Sequence, residues 1–178
     1  NKYDRVKEDI FDIQDEIVRK ITIALLGGIE ISSLKRAHRK PTESITSYEF
    51  LLKGKDNHHK FTKEANNEAL EFVTKAIEAD NTNAQALAWK ACIMGQARAR
   101  QYIKISNEEE YYLEMAGYVQ RAIDLDENDF ECNRMLCFAY LTQHKFNKAE
   151  EYGKRAFDLN PNDPRVSSGY GEVLIRVG

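Results

Sequence analysis

Apolar residues recur at spacings of three and four along nearly the whole chain, and strand-like alternation is almost absent, which predicts an all-helical protein. From Asp9 to about Ile29, a stripe of Ile10, Ile13, Ile17, Ile21 and Leu25, widened by Phe11 and Val18, predicts one long amphipathic helix. Gly27 and Gly28 supply its stop. The polar, basic stretch SSLKRAHRKPTES follows and reads as a linker, so the expected division is a connector over residues 1–45 and a second domain over 46–178. Beyond the linker the apolar stripes are shorter and come in pairs. Ala69, Phe72, Val73 and Ala76 form one; Trp89, Ala91 and Met94 face Met115, Tyr118, Val119, Ala122 and Ile123.

A phrase repeats between these stripes. AIEADNTN (76–83), AIDLDEND (122–129) and AFDLNPND (156–163) begin at alanines 46 and 34 residues apart. A helix-pair unit of 34 residues stacks into a solenoid, each unit burying its apolar face on the next. In the unit Phe130 to Asp163, Ala149, Tyr152, Gly153 and Ala156 fall at i, i+3, i+4 and i+7, a face of small side chains that lets two helix backbones approach within about 8–10 Å. Leu136, Ala139 and Tyr140 form the facing stripe. Asp163 followed by Pro164 is an N-cap followed by a first-turn proline, so the phrase is punctuation between stacked hairpins. The middle unit, Ala84 to Asp129, carries twelve surplus residues around RQYIKISNEEEYY, an extended turn between its helices. The earliest unit begins near Ser47. The chain closes on PRVSSGYGEVLIRVG, the first helix of a fourth unit, with Tyr170 and Gly171 in the register of Leu136 and Cys137.

The unit Phe130 to Asp163 resembles the tetratricopeptide repeat, through Leu136, Cys137, Tyr140, Ala149, Tyr152, Gly153, Ala156 and Pro161. Asn133 stands where that family usually has tryptophan, and Tyr152 sits one place ahead of the usual aromatic. The resemblance implies a tetratricopeptide-repeat solenoid of antiparallel helix pairs preceded by a long amphipathic helix, with about three repeats plus one helix. It further implies a protein–protein interaction module, its concave groove lined by the first helix of each repeat. The groove positions would be Gln85, Ala88, Cys92 and Gln96 in the middle repeat, and Glu131, Arg134, Phe138, Leu141 and Thr142 in the next. Chaperone-binding members use lysine and asparagine there to clamp a C-terminal carboxylate; this chain has Arg134 and Phe138. The segment YDRVKEDIFDIQDEIVRKITIALLGGI, with KPTES and SYEFLLKGK after it, resembles the connector that precedes such repeats in bacterial class III adenylate/guanylate cyclases. A similar block occurs in some winged-helix transcription regulators. The resemblance implies a module of a larger signalling protein whose partner is a protein or peptide, including the parent's own catalytic domain, or a second copy in a homodimer. Opening on Asn1 and closing in mid-repeat fit that expectation.

Composition narrows the remaining classes. The 178 residues are 42% hydrophobic and 31% charged, as in a globular chain, and 26 basic against 29 acidic residues leave a net charge of −3. No polybasic surface for nucleic acid is expected from so even a mixture. The longest apolar run, ITIALLGGIEI, is shorter than the roughly 20 residues that span a bilayer. Cys92, Cys132 and Cys137 form neither a CxxC pair nor an even disulfide set, pointing to reduced thiols and a cytoplasmic location. The chemistry of the residues gives no enzyme, metal site or cofactor. His58 and His59 are adjacent and read as a solvated turn, and NEEEYY reads as a solvated helix start. Gly27 and Gly28 lack the pattern of a phosphate loop.

Overall fold

The computed structural model describes residues 46–178, together with the helical positions Ile17 and Ile21, both about half exposed. The expected connector helix, its glycine stop and the linker otherwise lie outside the described residues. Contacts divide the chain into residues 1–39 and 40–178. Seven helices occupy the described part: α1 Ser47–His58, α2 Lys63–Ala79, α3 Ala84–Ala99, α4 Glu108–Leu125, α5 Phe130–Thr142, α6 Phe146–Leu159 and α7 Pro164–Val177. They form three antiparallel pairs and a single seventh helix, with no strand among the described residues.

The repeated phrase does the same work each time. Asn83, Asp129 and Asp163 cap α3, α5 and α7, their side chains accepting backbone N–H groups of the first turn. Three residues earlier, Asp80, Asp126 and Asn160 close α2, α4 and α6, and each accepts through its carbonyl from the N–H of the following cap residue at 3.2–3.5 Å. Inside the pairs the turns are built differently. Phe61, Gln101 and His144 adopt left-handed φ angles of 55–57°, letting the chain reverse without glycine.

Small residues set the spacing within pairs. A Cβ on Gly54 would lie 2.6 Å from a Val73 methyl, so α1 and α2 are in backbone-close contact. Ala69, Val73 and Ala76 on the facing side are fully buried. In the third pair Ala149, Gly153 and Ala156 are buried as expected, and Tyr152 stacks on Tyr140 with centroids 5.5 Å apart. Asn133, in place of the usual tryptophan, is also fully buried; its Nδ2 donates to the carbonyls of Glu127 and Asp129 at 2.8 Å, stapling α5 to the turn before it. Successive first helices, α1, α3, α5 and α7, touch one another, whereas the second helices α2, α4 and α6 do not. The stack is therefore tighter along the first helices, which form its inner, concave side.

Candidate functional site

Four helices converge on one carboxylate of this inner side. Glu131, near the start of α5, is 2% exposed. Its Oε2 accepts from Lys55 Nζ of α1 at 3.1 Å and from the Trp89 indole N–H of α3 at 3.2 Å. Its Oε1 accepts from Arg165 Nη1 of α7 at 2.8 Å, with Arg134 Nη2 at 3.5 Å. Arg165 also grips Asp163, at 2.6 Å through Nη2 and 3.1 Å through Nε. Lys55 and Arg134 lie over the Trp89 ring, 5.4 and 6.0 Å from its centroid. Burial alone would push the Glu131 carboxyl above the usual range, but attraction to Lys55, Arg165 and Arg134 and the Trp89 hydrogen bond outweigh it and hold the pKa below normal.

An apolar cavity of about 270 Å³ lies among α3, α4 and α5, with His58 from the end of α1 on its wall. His58 is 8% exposed, edge-on to Trp89 at 5.3 Å, and its Nε2 is 3.9 Å from Cys92 Sγ. The solvated turn expected at the two histidines is thus corrected for His58, which the apolar ring of Trp89 draws inward; His59 remains exposed. Burial, and then the neighbouring charges of His59, Arg134 and Arg100, lower the His58 pKa to about 4. Burial likewise pushes the Cys92 thiol up to about 11, against the pull of Arg134. Both groups are neutral near pH 7, so the pair is not an activated nucleophile and base.

The positions expected to line the groove fall into three groups. Cys92, Gln96, Phe138 and Thr142 line the cavity. Gln85, Glu131 and Arg134 are engaged within the protein, Gln85 donating to Asp129 Oδ2 at 2.7 Å. Ala88 and Leu141 are core residues, 0% and 8% exposed, and the expectation of a partner contact at these two is corrected: in a curved stack they face the neighbouring helices. Arg134 and Phe138 are also more embedded than a free surface pair, Arg134 being 8% exposed and the Phe138 ring lying 3.1 Å from where a Gly169 Cβ would sit. The sequence reading missed Lys55, Trp89 and Arg165. A signal existed for Arg165, since it stands 34 residues after Glu131, the same register one repeat later with opposite charge.

No protein-family model matches the chain, and no curated protein does. Solved structures are similar in fold. The tetratricopeptide-repeat domain of Arabidopsis OM64 is 14% identical, with a TM-score of 0.55 over 74% of this chain and 96% of that one. The first such domain of Spaghetti (RPAP3), solved bound to the HSP90 peptide SRMEEVD, is 15% identical, with a TM-score of 0.53 over 75% of this chain and 96% of the other. The Sgt2 domain from Aspergillus fumigatus is 13% identical at a TM-score of 0.56, over 74% and 78% of the two chains. The helix pairs of the described residues have the tetratricopeptide-repeat fold.

Proposed function

We propose that the inner face of this stack is a protein-interaction surface that binds an acidic peptide segment. The observation that carries the reading is the convergence of Lys55, Arg134 and Arg165, from three different first helices, on this inner face, with the Arg165 guanidinium reachable from solvent. The bound HSP90 peptide of the Spaghetti domain, with three acidic residues among its last four, supports the chemistry of the ligand. Arg165 is the residue best placed to meet it, because its side chain is 40% exposed whereas those of Lys55 and Arg134 are about 10% exposed. A partner carboxylate on Arg165 gains a charge-assisted hydrogen bond. The test is fluorescence anisotropy with an acidic peptide and its glutamine-for-glutamate counterpart. The acidic form should bind at least tenfold tighter, with the difference shrinking in high salt and lost in Arg165→Gln. Equal binding of the two peptides, or an unaffected Arg165→Gln variant, overturns the reading.

The connector resemblance supports a more specific setting, a scaffold or regulatory module of a bacterial class III nucleotide cyclase, with the parent's catalytic domain as a partner in cis. The coding sequence upstream of this segment decides it: a cyclase domain there supports the setting, and a winged helix favours the transcription-regulator alternative.

A further inference from the structure

The inner face carries a titratable group that the peptide reading leaves unused. His59 closes α1 as its C-cap residue and, unlike its neighbour His58, is exposed. Its imidazole lies edge-on to the Trp89 ring with centroids 5.8 Å apart, and has His58 at 5.3 Å and Phe61 at 6.4 Å. The same indole has Lys55 Nζ at 5.4 Å and the Arg134 guanidinium at 6.0 Å from its centroid, and its N–H reaches Glu131. Trp89 thus gathers His59 into the charged cluster. The charged groups that face the imidazole are Lys55 of α1, Glu131 and Arg134 of α5 and Arg165 of α7; Arg100, from the end of α3, lies over the Phe61 ring, 4.8 Å from its centroid. Partial burial, and then Arg165, Arg134 and Lys55, hold the His59 pKa below the ordinary 6.5, with Glu131 pulling the other way. Near pH 7 the ring of the free protein is therefore mostly neutral.

Resting on the acidic-peptide reading above, we propose that His59 is the second anchor of the peptide and takes up a proton as the peptide binds, so that this face captures acidic segments more tightly as pH falls from about 8 to about 6. An acidic segment that sets one carboxylate on the exposed Arg165 guanidinium brings a second carboxylate beside the exposed imidazole. That carboxylate draws a proton from solvent onto the free imidazole nitrogen, because an opposite charge within about 4–6 Å favours the charged form by about one pKa unit or more. Linkage makes the effect reciprocal: protonation strengthens binding by the factor by which binding favours protonation, about tenfold for one unit. Well above the pKa of the complex neither state holds the proton and affinity is flat. It rises as pH falls through that value, and levels off below the lower pKa of the free protein. Glu131 and Asp163, held below the usual carboxylate range, stay ionised throughout, and His58 takes its proton only near pH 4.

The test uses the full 178-residue chain and the peptide SRMEEVD, carrying a rhodamine label that does not titrate in this range, in anisotropy titrations at constant ionic strength from pH 5.8 to 8. The peptide's glutamates stay ionised over that span. Binding should be about threefold or more tighter at pH 5.8 than at pH 8, and calorimetry at pH 6.5 in buffers of different ionisation enthalpy should show uptake of about half a proton per peptide bound. His59→Gln should remove both the pH dependence and the uptake while binding at pH 8 stays within about twofold. His59→Arg, which carries the charge permanently, should bind at pH 8 at least as tightly as the natural chain does at pH 5.8, an outcome that a merely structural role for His59 does not produce. A pH dependence that survives His59→Gln, or an affinity of the natural chain that is flat over this range while the acidic peptide is still preferred to its glutamine counterpart, overturns the proposal and leaves the peptide reading standing. No preference for the acidic form at any pH overturns both.

Discussion

Replacing Glu131 by Gln keeps the shape of the side chain and removes the charge on which α1, α3, α5 and α7 converge. Lys55 at 3.1 Å, Arg165 at 2.8 Å and Arg134 at 3.5 Å each attract the carboxylate by about 5 kcal/mol at an effective dielectric of about 20. Most of that gross attraction offsets the cost of having stripped water from the carboxylate, Lys55 and Arg134. Arg165 is 40% exposed, so solvent screening reduces its share to about 1 kcal/mol or less. The remainder is governed by the buried partners. Deleting one member of a buried ion pair costs about 3–5 kcal/mol, because the other charge stays behind without compensation. Here the buried Arg134 is stranded, and the glutamine amide can turn only one acceptor oxygen toward it and Lys55. The expected loss is therefore about 4 kcal/mol.

In urea, with a slope of about 2 kcal/mol/M, that loss lowers the unfolding midpoint by about 2 M. The deficit should persist in 1 M salt, since ions do not reach a carboxylate that is 2% exposed. Glu108→Gln is the control: Glu108 pairs with Arg98 at 2.7 Å, but the two side chains are 56% and 37% exposed, and its loss should stay under about 1 kcal/mol. If Glu131→Gln costs less than about 1 kcal/mol, the cluster is a free surface patch rather than a tie between repeats, as the sequence reading of Glu131 and Arg134 as partner contacts had it.

His58 makes stability depend on pH: its folded pKa of about 4 lies below the ordinary 6.5, so the unfolded chain takes up the proton first and stability falls as pH drops from 6.5 toward 4, by about 3 kcal/mol in all. Urea midpoints at pH 4.5 and 7 should show most of that loss, and His58→Gln should flatten the profile over this range; a profile unchanged by the substitution refutes the burial of His58. Ala156→Leu should cost about 1–3 kcal/mol by overpacking a position that is 1% exposed, whereas Lys154→Leu, on the solvent side, should change stability by under about 0.5 kcal/mol; equal shifts in the urea midpoint contradict the helix-pair packing. The same Gly→Ala change should act with opposite signs in thermal melts: at Gly171 nothing lies within 4 Å of the new methyl and helix propensity stabilises by about 1 kcal/mol. At Gly153 the methyl would meet Tyr170 at 2.9 Å and Cys137 Sγ at 3.1 Å, and the substitution should destabilise.

What was legible in the sequence was whatever is decided within one repeat. The caps Asn83, Asp129 and Asp163 act on the helices that immediately follow them, so the phrase that carries them announces each helix start wherever it recurs. The stripe Ala149, Gly153 and Ala156 is equally local, its partner helix lying only a turn away in the chain. The inner face is decided between repeats. Lys55 is 76 residues from Glu131 and Trp89 is 42, and no spacing rule within a helix connects them, so Glu131 and Arg134 read as exposed polar positions of an amphipathic helix. The curvature of the stack changes their meaning: packing the first helices against each other closes the space above their polar positions, and a charge there survives only with opposite charges from its neighbours. Arg165, in the register of Glu131 one repeat on, shows how that coupling is written, as a reversal of charge at equivalent positions. The cavity had a fainter signature, the twelve surplus residues of the middle repeat, because a void is a property of three helices at once and no single segment encodes it. Ala88 and Leu141 mark the reverse case, since small or aliphatic residues at groove register were already a sign of core. On this face the polar positions hold the repeats together, and of the charged groups that do so Arg165 is the one that the closure leaves reachable.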